Sequence, residues 1–254
     1  MAKTKQTQKL LEIVARLRKE CPWDRKQTNR SLVPYLLEEA YETLEAIRAR
    51  DAKALREELG DLLLQVVLHC EIASETMGFD FEDVARGIGE KMVRRHPHVF
   101  AEGKVALGKH SQQWTELKQK EKPRKSLLQG TPQSMPALQL AQRYGEISSS
   151  VGFDWDDADG AWDKLHEELE ELRKEFKARK RNRKRVADEL GDVAFCLANL
   201  ARHLGINAEL AGRDASVKFS KRFAKMEAKA RKSGARLAEW SPEEWDQAWR
   251  QAKT

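Results

Sequence analysis

The sequence predicts an all-α protein made of two tandem helical-bundle domains, and three observations predict it. Apolar residues recur every three or four positions, as in Leu36, Leu37, Leu44 and Ile47, and again in Leu59, Leu62, Leu63, Val66 and Val67, which is the period of a helix with one buried face. Few runs alternate with period two, and proline is sparse and confined to prospective loops. Finally, the two halves carry one colinear series of features about 130 residues apart, the mark of an internal repeat.

The elements follow in order. The first stretch, MAKTKQTQKLLEIVARLRKE, has early lysines, but Glu12, Arg16 and Arg18 interrupt any apolar run, so it does not read as a secretory signal. CPWD (21–24) precedes the first unit, whose helices read LLEEAYETLEAI, LREELGDLLLQVVLHCEIA and KMVRR. A W-x-x-x-K pair, Trp114 and Lys118, closes it. KPRKSLLQGTPQSMP (122–136) has three prolines, a glycine and no period, and suits a linker. GFDW, ending at Trp155, opens the second unit, followed by LHEELEELRKEF, VADELGDVAFCLANLARHLG and KFSKR, with Trp249 and Lys253 at its end. The reading is a first domain at 1–121, a linker at 122–136 and a second domain at 137–254.

Composition narrows the function. The chain has 254 residues, with 47 Lys and Arg against 41 Asp and Glu, a net charge of +6. A balance this close disfavours a disordered or chromatin-like basic chain. The apolar runs 62–68 and 193–200 are far shorter than the roughly 18 residues of a membrane helix. Three cysteines, Cys21, Cys70 and Cys196, without a C-x-x-C pair, point to a reducing compartment, the cytoplasm.

Each unit places two acidic pairs at i, i+3 on consecutive helices: Glu39 and Glu42 with Glu58 and Asp61, then Glu168 and Glu171 with Glu189 and Asp192. That spacing sets both members of a pair on one helical side. If the helices turn near Asp51 and near Arg181, the pair centres of an antiparallel hairpin differ in height by only about 3 Å. Four converging carboxylates repel unless they are protonated or hold cations. An all-oxygen set favours Mg²⁺, with Mn²⁺ as the alternative, over zinc or copper. A ferritin-like di-iron centre is disfavoured, because its E-x-x-H pairs do not occur in the chain.

Gly60 and Gly191 sit inside the repeated ELGD. Glycine there costs a helix about 1 kcal/mol, so either an outside group approaches the backbone or a neighbouring helix packs against it. Lys91 with Arg95, and Lys218 with Arg222, recur at i, i+4 on a later helix of each unit and suit a phosphate clamp. The basic run 177–185 has no interleaved aromatics and falls at a hairpin turn, which disfavours nucleic acid. His96 and His98 flank a proline and read as loop-packing residues rather than metal ligands.

The E-E-x-x-E then E-x-x-D pattern, with KMVRRHPHVF in the first half and KFSKRF in the second, resembles the MazG family of nucleoside triphosphate pyrophosphohydrolases. The resemblance covers essentially the whole chain. It implies the all-α pyrophosphohydrolase fold, a homodimer, and Mg²⁺-dependent conversion of ATP and other nucleoside triphosphates to monophosphate and pyrophosphate with broad base tolerance. It also implies that Glu168, Glu171, Glu189 and Asp192 hold the metal in the second unit, and that Lys164, Arg185, Lys218, Arg222 and Trp249 hold the triphosphate and nucleoside. Stacking on a base and packing in a dimer core are equal readings of Trp249. Two positions depart from the family pattern, Arg185 in place of Lys and Ser216 in place of Asn.

The first unit keeps its carboxylates, but Tyr35 and Ala54 stand where the second has Lys164 and Arg185. Most turnover is therefore expected in the second unit. There, Glu167 or Glu168 would handle the attacking water while Lys218 and Arg222 neutralise the leaving pyrophosphate. The alternative is a regulatory nucleotide- or partner-binding helical dimer with little turnover.

Overall fold

The computed structural model describes residues 2–100 and 126–253. Trp114, Lys118 and the first part of the expected linker, 122–125, lie outside the described residues. Among those described, the secondary structure is helical and no strand occurs. The chain divides into two compact units, Met1–His110 and Ser111–Thr254. No described helix is long and apolar enough to cross a membrane.

The first unit contains α1 (Ala2–Glu20), α2 (Val33–Ala49), α3 (Ala52–Thr76), α4 (Phe81–Arg95) and the short α5 (Pro97–Phe100). α2 and α3 form an antiparallel hairpin whose turn is chemically specified. Arg50 closes α2 in the left-handed region at φ 54°, and the Asp51 side chain caps α3 by accepting from the backbone N–H groups of Lys53 and Ala54. Val14, Leu32, Val67, Leu68 and Ile72 make the core, with Leu10, Leu11, Leu64 and Phe81 against it. Arg18 ties α1 to the hairpin: its guanidinium donates to both carboxylate oxygens of Glu75 at 2.9 Å, and to the carbonyls of Asp24 and Gln27 in the segment between α1 and α2.

The second unit contains α6 (Ala137–Ser149), α7 (Ala158–Lys177), α8 (Arg183–His203), α9 (Ala208–Ser233) and α10 (Pro242–Ala252). Its hairpin is α7–α8. Asn182 caps α8, accepting from the N–H groups of Lys184 and Arg185, so the chain turns beside Arg181 as the spacing predicts. Ala161, Leu165, Cys196 and Leu200 pack the two helices together. Ala141, Ala198 and Ala208 form a second small-residue contact. Met226, Ala248 and Ala252, with Trp240, Trp245 and Trp249 against them, join α9 to α10.

Candidate metal centre

In each hairpin the helix carrying E-x-x-E faces the helix carrying E-x-x-D. Glu39, Glu58 and Asp61 each offer one carboxylate oxygen within 4.8 Å of the other two, and Glu168, Glu189 and Asp192 do the same in the second unit. Glu42 and Glu171 fall outside these sets of three. The cause is rotation rather than height. The α2 residues directed at α3 are Thr43 and Ala46, both buried, and the Thr43 hydroxyl approaches the Glu58 carbonyl at 3.4 Å. In α7 the buried line is Ala161, Leu165 and Glu168. A step of three from Glu39 or Glu168 turns the next acid to the side of that line. Glu42 and Glu171 remain close enough to repel: burial, then the charges of Glu42 and Asp61, pushes the Glu58 carboxyl above its usual range. Burial, then Glu171, Asp192 and Glu168, does so for Glu189.

Glu39 is raised by burial and then by Asp61, Glu42 and Glu58. Its counterpart, Glu168, is only 7% exposed and has a cation beside it. Lys164 Nζ lies 2.8 Å from Glu168 and 2.9 Å from Glu167, and these two bonds raise the lysine pKa well above its ordinary value. In the first unit Tyr35 occupies the equivalent place and meets Trp23 edge-on at 5.8 Å. The two sets therefore share a shape but differ in charge. Three carboxylate oxygens within 4.8 Å of one another, with no histidine or cysteine in either set, suit a hard divalent cation, which would relieve the repulsion that the neighbouring acids create.

The remaining predicted residues stand at different distances from this centre. Arg185 is on the first turn of α8, 3.4 Å from Glu175. Lys218 and Arg222 lie on α9. Arg222 sits over the Trp249 ring at 5.6 Å, and Trp249 packs against Phe219 at 5.4 Å. Trp249 thus has ring and cation partners on α9. Lys91 and Arg95 are on the last two turns of α4. His96 Nδ1–H donates to the Met92 carbonyl at 2.7 Å while its backbone N–H closes α4, in keeping with a packing role. A Cβ at Gly60 or Gly191 would meet nothing within 4 Å. Packing against the described residues therefore explains neither glycine.

Sequence reasoning missed a cavity of about 290 Å³ between α6, the loop before α7 and α8, lined among others by Phe153, Trp155, Phe195 and Asn199. The only signal was that GFDW recurs in the place of CPWD, since the cavity's walls come from segments some 50 residues apart.

Fold and site together define a helical protein with a repeated carboxylate centre fit for divalent cations. The MazG nucleotide pyrophosphohydrolase domain matches residues 27–100. The nucleoside triphosphate pyrophosphohydrolase/pyrophosphatase MazG of Thermotoga maritima is 43% identical over 97% of this chain and 95% of its own. The nucleoside triphosphate pyrophosphohydrolase of Escherichia coli K12 is 39% identical over 98% of this chain and 97% of its own. A solved structure, of a mazG-related protein from Thermotoga maritima, is 34% identical, covers 44% of this chain and 98% of its own, and superposes with a TM-score of 0.40. On the full-length relatives, the chain belongs to the MazG family and is an enzyme of the nucleoside triphosphate pyrophosphohydrolase class.

Proposed function

We propose that the protein cleaves nucleoside triphosphates of several bases to the monophosphate and pyrophosphate, with Mg²⁺ or, in its place, Mn²⁺, and that the second unit does most of the work. The observation that carries this reading is the asymmetry of two otherwise matched carboxylate sets. Glu168, Glu189 and Asp192 stand beside Lys164, whereas the equivalent lysine position in the first unit is Tyr35.

Glu168, Glu189 and Asp192, with Glu171 alongside, would hold a divalent cation, which would supply charge neutralisation for the triphosphate and make water more acidic. The chain's own residues do the rest. Lys164 exchanges its bonds to Glu167 and Glu168 for a phosphate oxygen when substrate enters. Glu167, exposed on the same helical turn, or Glu168 accepts the proton of the attacking water. The water oxygen bonds to the α-phosphorus as the bond to the bridging oxygen toward the β-phosphorus breaks. Lys218 and Arg222 neutralise charge on the departing pyrophosphate, and Arg185 adds a cation at the start of α8.

The Glu39, Glu42, Glu58 and Asp61 set, with Lys91 and Arg95 on α4, holds metal and a phosphorylated ligand with weak turnover. Exposed leucines beside both sets, Leu59 and Leu63 on α3 and Leu190 on α8, support a homodimer. Three free cysteines support a cytoplasmic setting. Product identity tests the reaction: monophosphate plus pyrophosphate is expected, and diphosphate plus orthophosphate would place the attack at another phosphorus. Metal-dependent nucleotide binding with no product of either kind would favour the regulatory alternative.

A further inference from the structure

The net charge of the protein is concentrated at one place. Residues 173–185 run from the last turns of α7 through the loop to the first turn of α8, and hold nine Lys and Arg against one acid, Glu175, a net of +8. The whole chain carries +6, so every other residue together comes to −2. The matching thirteen positions of the first hairpin, 44–56, hold four cations and two acids, a net of +2. The excess belongs to the tip of the second hairpin.

Helix stability does not account for it. Cations suit the C-terminal end of a helix and oppose its N-terminal end, where the dipole is already positive. Lys174 and Lys177 in the last turn of α7 follow that rule. Arg183, Lys184 and Arg185 break it, because they occupy the first turn of α8, which contains no acid. By contrast α7, α9 and α10 begin with Asp159, Glu209 and the pair Glu243 and Glu244.

Most of these cations are also left without a counter-charge. Arg173 meets Glu170 at 3.2 Å and Arg185 meets Glu175 at 3.4 Å, while Arg181 covers the Phe176 ring at 4.8 Å. Lys174, Lys177, Arg179, Lys180, Arg183 and Lys184 are exposed and make no ion pair among the described residues.

The tip lies at one end of the second carboxylate set. Lys177 is six residues beyond Glu171 and Lys184 five before Glu189, which puts the near edge of the tip about 8–9 Å from those acids along the helix axes and the loop a few ångströms further. Charges act over about 10 Å at 0.1 M salt and about 30 Å at 0.01 M. A ligand at the carboxylate set is therefore inside the field of the tip. A terminal phosphate carries up to about two negative charges and each inner phosphate about one, so a triphosphate feels about twice the attraction of a monophosphate.

We propose that the tip of the second hairpin sorts ligands by charge, favouring triphosphates over diphosphates and monophosphates through a long-range field rather than through contacts, a conclusion that rests on the pyrophosphohydrolase reading of the carboxylate set. Arg185 is the one member that the mechanism also places at the substrate. The remaining cations raise the local concentration of highly charged anions. The monophosphate product, with about half the charge, is held less, which favours its exchange for fresh substrate.

The test is equilibrium dialysis of the full chain with Mg²⁺ against an α,β-methylene nucleoside triphosphate and the monophosphate of the same nucleoside, at ionic strengths of about 0.01, 0.1 and 1 M. One variant removes three charges, Lys177→Gln with Arg179→Gln and Lys180→Gln. A second keeps them, Lys177→Arg with Arg179→Lys and Lys180→Arg. From Coulomb's law in water, damped over the screening length, the first variant should weaken triphosphate binding about 5- to 50-fold at 0.01 M and about 2- to 5-fold at 0.1 M. It should weaken monophosphate binding by about the square root of those factors and match the wild type near 1 M, while the charge-keeping variant matches the wild type throughout. No loss at the lowest salt, a loss that salt does not alter, an equal loss for the two ligands, or a loss in the charge-keeping variant overturns the inference. So does unchanged nucleotide affinity with a salt-steep loss of binding to a single-stranded RNA oligonucleotide, since the tip then serves nucleic acid. Failure of the wild type to release pyrophosphate from natural triphosphates sinks the catalytic reading instead, and the dialysis still decides whether the tip sorts ligands by charge.

Discussion

Replacing Lys164 with methionine separates the two states that this lysine serves. With no metal bound, its ammonium lies 2.8 Å from Glu168, whose side chain is 9% exposed, and 2.9 Å from Glu167, whose side chain is 58% exposed. The exposed pair contributes little, about 0–0.5 kcal/mol. The buried one matters more, because its loss leaves a carboxylate without a partner and beside other acids, at a cost of about 1–2 kcal/mol once the lysine's own partial exposure is allowed for. That corresponds to a fall in Tm of roughly 2–8 °C for a chain of this size. A divalent cation on the carboxylates takes over the same neutralising role, so saturating Mg²⁺ should return most of the loss. The variant should bind Mg²⁺ more tightly, having lost a competitor for Glu168, and yet show a higher KM for triphosphate, having lost a phosphate contact. Thermal unfolding with and without Mg²⁺, together with steady-state kinetics, reads all three. Equal destabilisation in both conditions, or an unchanged KM, refutes the exchange of Lys164 between carboxylate and phosphate.

Gly191→Ala should stabilise α8 by about 1 kcal/mol in the metal-free protein, because its Cβ meets nothing within 4 Å, and should lower turnover if an outside group approaches the backbone there; calorimetry and kinetics on one sample check both. Gly145→Ala should destabilise by about 1–3 kcal/mol, since the added carbon falls 2.6 Å from Asn199 Oδ1 and must part Asn199 from Arg202; denaturant melts measure this. At Asp154, burial pushes the carboxyl up, but hydrogen bonds and charge from Arg202 and His203 outweigh it and leave the pKa below its ordinary value. Stability from Asp154 is therefore complete above the ordinary carboxylate range and is lost as pH falls through the lowered value. Asp154→Asn should cost about 1–3 kcal/mol at neutral pH and flatten the acid limb of a stability-against-pH curve.

Most of the fold was legible because helical period, capping side chains and the repeat agree. Asp51 and Asn182 are capping residues standing where the spacing of the acids requires a turn, so the hairpins and the heights of their carboxylates could be counted from sequence. Rotation could not be counted. Whether Glu42 or Thr43 faces α3 depends on how the helices roll over Ala46, a packing outcome with no local signal. Trp249 shows a similar limit, because its contacts with Phe219 and Arg222 join α10 to α9 and leave no signal in the local sequence. The cavity was the least legible feature, since Gly145, Trp155 and Asn199 become neighbours only after α6, the α7 loop and α8 assemble.

The most direct test of the second unit's role is metal-dependent release of pyrophosphate from a mixture of nucleoside triphosphates by wild type, Glu189→Ala and Glu58→Ala. Both glutamates belong to matched carboxylate sets, so the comparison isolates which set carries the reaction. Loss of monophosphate and pyrophosphate in Glu189→Ala, with most of the rate kept in Glu58→Ala, is the predicted result. Full activity in Glu189→Ala with loss in Glu58→Ala would contradict it and place the chemistry in the first unit.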